Sequence, residues 1–126
     1  MLILALLLAG LAALIHVHIF WLESIAFAGP GRKVFGLTAE EAAVMSPWAY
    51  NQGFYNLFLA VVTTAGIVLY GADHGAGLAL LVAGPGSMLA AATVLVTADR
   101  TRWQGALYQG TAPALCLLVL ALRTLT

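Results

Sequence analysis

Apolar residues run almost unbroken along this chain in four blocks, at about residues 2–27, 48–70, 77–98 and 103–124, separated by clusters of polar residues, Gly and Pro. Each block is long enough to cross a bilayer as a helix, which takes about 20 apolar residues for a core of about 30 Å. The first has no basic leader and no small-residue cleavage pattern, so it reads as a membrane helix rather than a signal peptide. The 28–47 connection, "AGPGRKVFGLTAEEAAVMSP", is the only extended polar stretch. Gly29, Pro30 and Gly31 there predict the end of the first helix. Thr38 with Glu41 three residues on predicts a capping box opening a short interfacial helix. The connections around Gly71–Gly75 and Asp99–Arg102 are short, and short connections make neighbouring helices antiparallel. The expectation is one all-α integral membrane domain over 1–126, a four-helix bundle.

Composition reinforces the pattern. The chain is 63% hydrophobic and 8% charged, whereas soluble domains carry about a quarter charged residues. The formal net charge is zero, which leaves nucleic-acid binding without an electrostatic basis. The lone Cys116 lies in an apolar run and reads as packing. Arg32 and Lys33 fall in the first connection, Arg100 and Arg102 in the third, and the second, "YGADHGAG", has no basic residue. The positive-inside rule then puts the first and third connections in the cytoplasm and both termini outside the inner cell membrane. Arg123 dissents from that assignment.

Against so apolar a background, "HVHIFWLES" at 16–24 stands out, because each ionisable group in a bilayer costs a few kcal/mol. Glu23 lies near the cytoplasmic end of its helix. Asn51, Gln52 and Asn56 open the second span from the same side, Asp99 closes the third, and Gln104 and Gln109 enter the fourth. Polar groups on all four helices at one depth predict an internal site. His16 and Glu23 are seven residues apart and share a helical stripe, while His18 points about 160° away from His16. Pro113 has no N–H, so it releases the carbonyl of Gln109. Aromatics crowd the same end. Trp48 and Trp103 fit an interfacial belt, whereas Phe54, Tyr55 and Tyr108 lie deeper, and with Trp21 they are candidates to line a pocket. The candidate catalytic residues are Glu23, His16 and Asp99. The candidate substrate-binding residues are Trp21, Asn51, Gln52, Phe54, Tyr55, Asn56, Trp103, Tyr108 and Gln109.

The pattern "H…WLES…GRKVFGL…NQGFYNLFLA…YQGTAPALCLL" resembles a family of small four-helix membrane proteins of bacteria and fungi, catalogued as a domain of unknown function. The resemblance covers nearly the whole chain. It rests on His16, Leu22-Glu23, the run Gly31 to Leu37, Asn51-Gln52-Gly53 and Tyr55-Asn56. The chain departs from the pattern at Ile15, where an acid is expected, at His18 in place of a tyrosine, and at Ser46-Pro47 in place of Thr-Lys. The resemblance implies the same fold and intramembrane polar cluster, with a specialised substrate as the meaning of the departures. It leaves the chemistry open.

The residues themselves suggest a chemistry. Desolvation among apolar and aromatic groups favours the neutral form of a carboxyl, which can then donate a proton at neutral pH. Aromatic faces stabilise a passing cation. Together these are the ingredients for protonating an epoxide or alkene of a lipophilic isoprenoid and guiding its cyclisation, with Glu23 as the acid. That logic is similar to membrane terpene cyclases of meroterpenoid pathways, by analogy of chemistry alone. A rival reading is a small proton-coupled exporter using Glu23. Another is a non-catalytic membrane subunit in which Glu23 fixes helix packing. His16 and His18 diverge and cannot chelate together, so no metal is expected, and no cofactor motif occurs. The expected partners are a lipophilic small molecule, membrane lipids and further copies of the chain in a dimer or trimer, since Gly and Ala let helices pack closely.

Overall fold

The computed structural model describes residues 1–125, and every regular element among them is helical. The helices are α1 (Leu2–Phe20), α2 (Arg32–Val34), α3 (Ala39–Leu69), α4 (His74–Ala98) and α5 (Trp103–Thr124). Wide turns at Trp21–Ile25 and Phe27–Gly31 follow α1, and a 3₁₀ turn at Arg100–Arg102 precedes α5. Four helical runs are long and apolar enough to cross a membrane: Leu2–Ile25, Ala39–Leu69, His74–Ala98 and Arg100–Thr124. They fit a multi-pass membrane protein.

Side chains are sorted as lipid requires. Along α1 the small residues Ala5, Ala9 and Ala12 are buried, while Leu4, Leu7, Leu11 and Leu14 are exposed. A water-soluble helix does the reverse, hiding Leu and leaving small or polar residues outside. Hydroxyls within the helices are satisfied locally. Thr63 donates to the Leu59 carbonyl at 2.8 Å, Thr93 to Leu89 at 2.9 Å and Thr111 to Leu107 at 2.7 Å. Such i−4 bonds let a polar side chain sit in a span without a partner on another helix.

The chain forms two compact units. The first comprises Met1–Ile15 and the chain from Leu59 onward, so it contains part of each of the four long helices. Its core gathers Ala5 and Ala9 of α1, Leu81 of α4, Cys116 and Leu120 of α5, and Tyr70. A second cluster joins Ala12, Met88 and Ala112, with Ile15 and Leu59 against it. Helices approach closely where side chains vanish: Gly84 lies on Thr63, and an added Cβ at Gly66 would come within 2.9 Å of the Leu81 nitrogen. Tight turns between α3 and α4 and between α4 and α5 set those neighbours antiparallel, as predicted. The α4 start is three residues earlier than expected. The Asp73 carboxylate accepts from the Ala76 N–H at 3.0 Å and caps the helix there.

The second unit is His16–Phe58. Here the sequence reading of the first connection needs two corrections. The first span ends before Gly29, Pro30 and Gly31: it stops at Ile25 and Ala26 leaves helical angles, and the three residues lie at the start of a second run, from Phe27 to Val34. That second run stops at Gly36, at φ 68°. Its N–H donates to the Lys33 carbonyl at 3.2 Å, and the Leu37 N–H donates to Arg32 at 2.9 Å, the paired bonds of a glycine-terminated helix. The capping box at Thr38 and Glu41 is present: the Thr38 N–H donates to Glu41 Oε2 at 2.8 Å, and the Glu41 N–H to Thr38 Oγ1 at 3.2 Å. It opens no separate interfacial helix, however. It starts a 31-residue α3 that runs on through Pro47.

Candidate functional site

The geometry around Glu23 begins with a change of helical pitch. Beyond Phe20 the Ala26 N–H donates to the Trp21 carbonyl at 2.8 Å, five residues back rather than four. Each extra residue in a turn rotates those after it away from the ideal α-helical wheel, and wide turns recur at functional positions. The shared stripe predicted for His16 and Glu23 therefore holds in phase only as far as Phe20. At Ala26 the backbone leaves helical angles, with φ −109° and ψ 19°. The chain then doubles back, and the Gly31 N–H donates to the Ala26 carbonyl at 2.9 Å. Gly31 lies so close to the Leu22 carbonyl that a Cβ there has no room.

The wide turn carrying Glu23 packs on α3 through Gly53. A Cβ added at Gly53 would overlap Ser24 Oγ and stand 3.1 Å from both Glu23 Cβ and the Phe20 carbonyl oxygen. This close approach allows two polar contacts: Asn56 Nδ2 donates to Glu23 Oε2 at 2.9 Å, and Ser24 Oγ donates to the Tyr50 carbonyl at 2.8 Å. Within α3, Asn56 Nδ2 also donates to the Gln52 carbonyl at 3.2 Å. Glu23 is half-buried, and its second oxygen, Oε1, has no hydrogen bond among the described residues. Phe54 anchors an aromatic row beside this clasp. Its ring meets Phe20 edge-on at 5.1 Å, Tyr50 at 5.0 Å and Phe58 at 6.2 Å.

The other predicted residues fall into two groups. Within the same unit, His16 is fully buried, while Asn51, Gln52 and Tyr55 present exposed side chains. Trp21 is exposed and stacks on His18 with ring centroids 6.1 Å apart. Asp99, Trp103, Tyr108 and Gln109 belong to the first unit. There Asp99 accepts from Thr101 Oγ1 at 2.6 Å and from the Thr101 N–H at 2.9 Å, with Arg102 at 3.5 Å. The Thr101 hydroxyl, then its backbone N–H, then the Arg102 charge hold this carboxyl below the usual carboxylate value. Its visible work is to cap the turn before α5. Trp103 opens α5 and is exposed, Tyr108 is exposed, and Gln109 is half-buried beside the buried Gly110.

Ser24 and Gly53 are missing from the candidate site residues, although Ser24 sits inside "WLES" and Gly53 is part of the Asn51-Gln52-Gly53 pattern. An isolated glycine in a helical pattern usually has a packing reason, and this was the available signal for Gly53. The sequence gives His74 no role and leaves Arg123 as a topological exception. The structure joins them at the bundle end of the first unit. Tyr70 Oη lies 2.7 Å from His74 Nε2 and accepts from Arg123, whose guanidinium also sits 5.6 Å from the Tyr70 ring centre. Nothing in the spacing of these three could have revealed it, because α5 returns to α3 only in the folded unit.

Among the described residues no three His, Cys, Asp or Glu side chains gather as a metal site requires. No curated protein and no solved structure matches the chain. One family model does, that of the "Protein of unknown function (DUF1304)", over residues 10–121. The match runs from within the first span to the last and takes in His16, Glu23, Gly53 and Asn56, and by it the chain belongs to the DUF1304 family.

Proposed function

We propose that this protein is a membrane-embedded acid catalyst, a cyclase or isomerase of a lipophilic isoprenoid-type substrate such as a meroterpenoid epoxide, with Glu23 as the proton donor. The observation that carries the reading is the clasp on Glu23. One carboxyl oxygen is fixed by Asn56 at 2.9 Å, and the other has no hydrogen bond among the described residues, in a unit where Phe20, three residues before Glu23, packs on Phe54 and Phe54 on Tyr50. A carboxyl serving only to join two helices would be expected to use both oxygens, since an unsatisfied polar atom in lipid is costly.

The chemistry follows from that arrangement. Oε1–H protonates the epoxide oxygen and the C–O bond opens. The carbon cation is captured by an alkene of the same chain, with aromatic faces stabilising the charge as it moves. Loss of a proton from the last cation reloads the acid, so product and substrate have equal mass. Asn56 holds the carboxyl in one orientation throughout. His16, fully buried on the same helix, acts as a positioning residue rather than a contact to substrate. In this reading Asp99 is a cap and not a second acid, the site opens toward the cytoplasmic face of the inner membrane, and the working unit is a dimer or trimer.

The test compares membranes holding wild type or Glu23→Gln, each supplied with prenylated aromatic epoxides. A product of unchanged mass and shifted retention, made by wild type and reduced at least a hundred-fold in the variant, is the expected result; loss of a general acid costs about 10²–10⁴-fold. Equal conversion by both proteins, or by neither, overturns the reading. Proton-driven uptake into liposomes that depends on Glu23 would put transport in its place.

A further inference from the structure

The second unit also holds a groove of about 200 Å³ lined by Phe27, Ala28, Arg32, Ala39, Ala42, Ala43 and Ser46. Its lining is four alanines, one phenylalanine and one serine, with the single charge of Arg32. Arg32 is half-buried among them, and its guanidinium has no hydrogen bond or ion pair among the described residues. The nearest acids in sequence do not compensate it. Glu41 is committed to the Thr38 capping box, and Glu40 is exposed with no ion pair. A half-buried arginine with no counter-ion keeps its guanidinium donors uncommitted, and Arg is the side chain best shaped for phosphate.

The depth of the groove indicates where that anion comes from. With 31 residues, α3 is about 46 Å long at 1.5 Å per residue, against a hydrocarbon core of about 30 Å. Roughly ten residues must project, and the polar end is the N-terminal one, with Glu40, Glu41, Ser46 and the exposed Trp48. Trp at this position marks the head-group level. Ala39 to Ser46 and the facing Arg32 thus sit in the layer occupied by lipid phosphates, and the Ala and Phe27 wall offers a surface for the first methylenes of an acyl chain.

We infer that this groove is a binding site for an anionic phospholipid of the surrounding bilayer, its phosphate on Arg32 and Ser46 and its proximal chain against Phe27, Ala42 and Ala43. The inference does not depend on the role of Glu23. Its test is native mass spectrometry of the full chain released from nanodiscs of phosphatidylglycerol and phosphatidylcholine in equal parts. Wild type is expected to retain one phosphatidylglycerol in preference to phosphatidylcholine. Arg32→Gln should reduce that retention at least ten-fold, whereas Lys33→Gln, which removes the same charge from the exposed neighbour, should leave it within two-fold. Ala43→Phe fills the groove without altering charge and should also abolish retention, which protects the test if Arg32→Gln fails to fold. Equal losses for Arg32→Gln and Lys33→Gln would mean diffuse attraction and overturn the proposal. Displacement of the lipid by millimolar inorganic phosphate would also overturn it, identifying a soluble anion as the occupant.

Discussion

Gly53 decides whether the candidate site can exist, because the contacts of Glu23 and Ser24 with α3 need a helix without a side chain at that point. Its Cβ would overlap Ser24 Oγ and press on Glu23 Cβ and the Phe20 carbonyl at 3.1 Å. Overpacking of this kind typically costs 1–3 kcal/mol. Gly53→Ala is therefore expected to lower stability by about 2 kcal/mol in a detergent-titrated unfolding experiment. Gly10→Ala is the matched control. Gly10 lies within α1 with nothing within 4 Å of an added Cβ, so the helix gains the usual preference for Ala, roughly 0.5–1 kcal/mol. Equal effects of the two substitutions would refute the close approach. Much of the site was legible at this scale. Glu23 and Asn56 are conspicuous because polar groups in an apolar span demand partners, and the structure pairs them. Ser24 was not legible, because its bond goes to a backbone carbonyl, and every residue offers one of those.

At the scale of elements, the spans could be read from hydropathy, but the path between the first two could not. Gly-Pro-Gly looks like the terminator of the first helix, yet that run has already ended at Ala26, and Pro30 and Gly31 lie inside the wide turn Phe27–Gly31 that leads into α2. Pro47 looks like a boundary too. It removes one helical hydrogen bond but lies downstream of a complete capping box, so α3 has already formed its first turns and continues. The terminator of that second run, Gly36, is recognised by its backbone rather than its surroundings. A left-handed residue with a Cβ costs roughly 1–2 kcal/mol. Gly36→Ala is expected to destabilise the protein by about that amount and to speed amide exchange at Leu37. Gly29→Ala, in the same connection and equally free of neighbours, should be neutral or slightly stabilising. Equal effects of the two substitutions would refute a left-handed backbone at Gly36.

The molecule as a whole raises the question of which way it faces, which decides the side on which the Glu23 clasp and the proposed lipid groove open. Basic residues argue one way: Arg32, Lys33, Arg100 and Arg102 flank the first and third connections, and the second has no Lys or Arg. The exception, Arg123, loses much of its weight once its partner is known. Its guanidinium bonds Tyr70 Oη and lies over that ring, so its charge is locally engaged rather than open to anionic lipid. The sole native thiol, Cys116, is fully buried and donates to the Ala5 carbonyl at 3.4 Å, which leaves a silent background for thiol labelling. Two single substitutions then read the orientation, Lys33→Cys in the first connection and Ala72→Cys in the second, both at exposed positions. In intact cells a membrane-impermeant maleimide is expected to label Ala72→Cys fully and to reach Lys33→Cys only after permeabilisation. The opposite pattern would invert the bundle. It would turn the Glu23 clasp and the Arg32 groove to the outer face, and the substrate and the lipid would then both have to be sought in the outer leaflet.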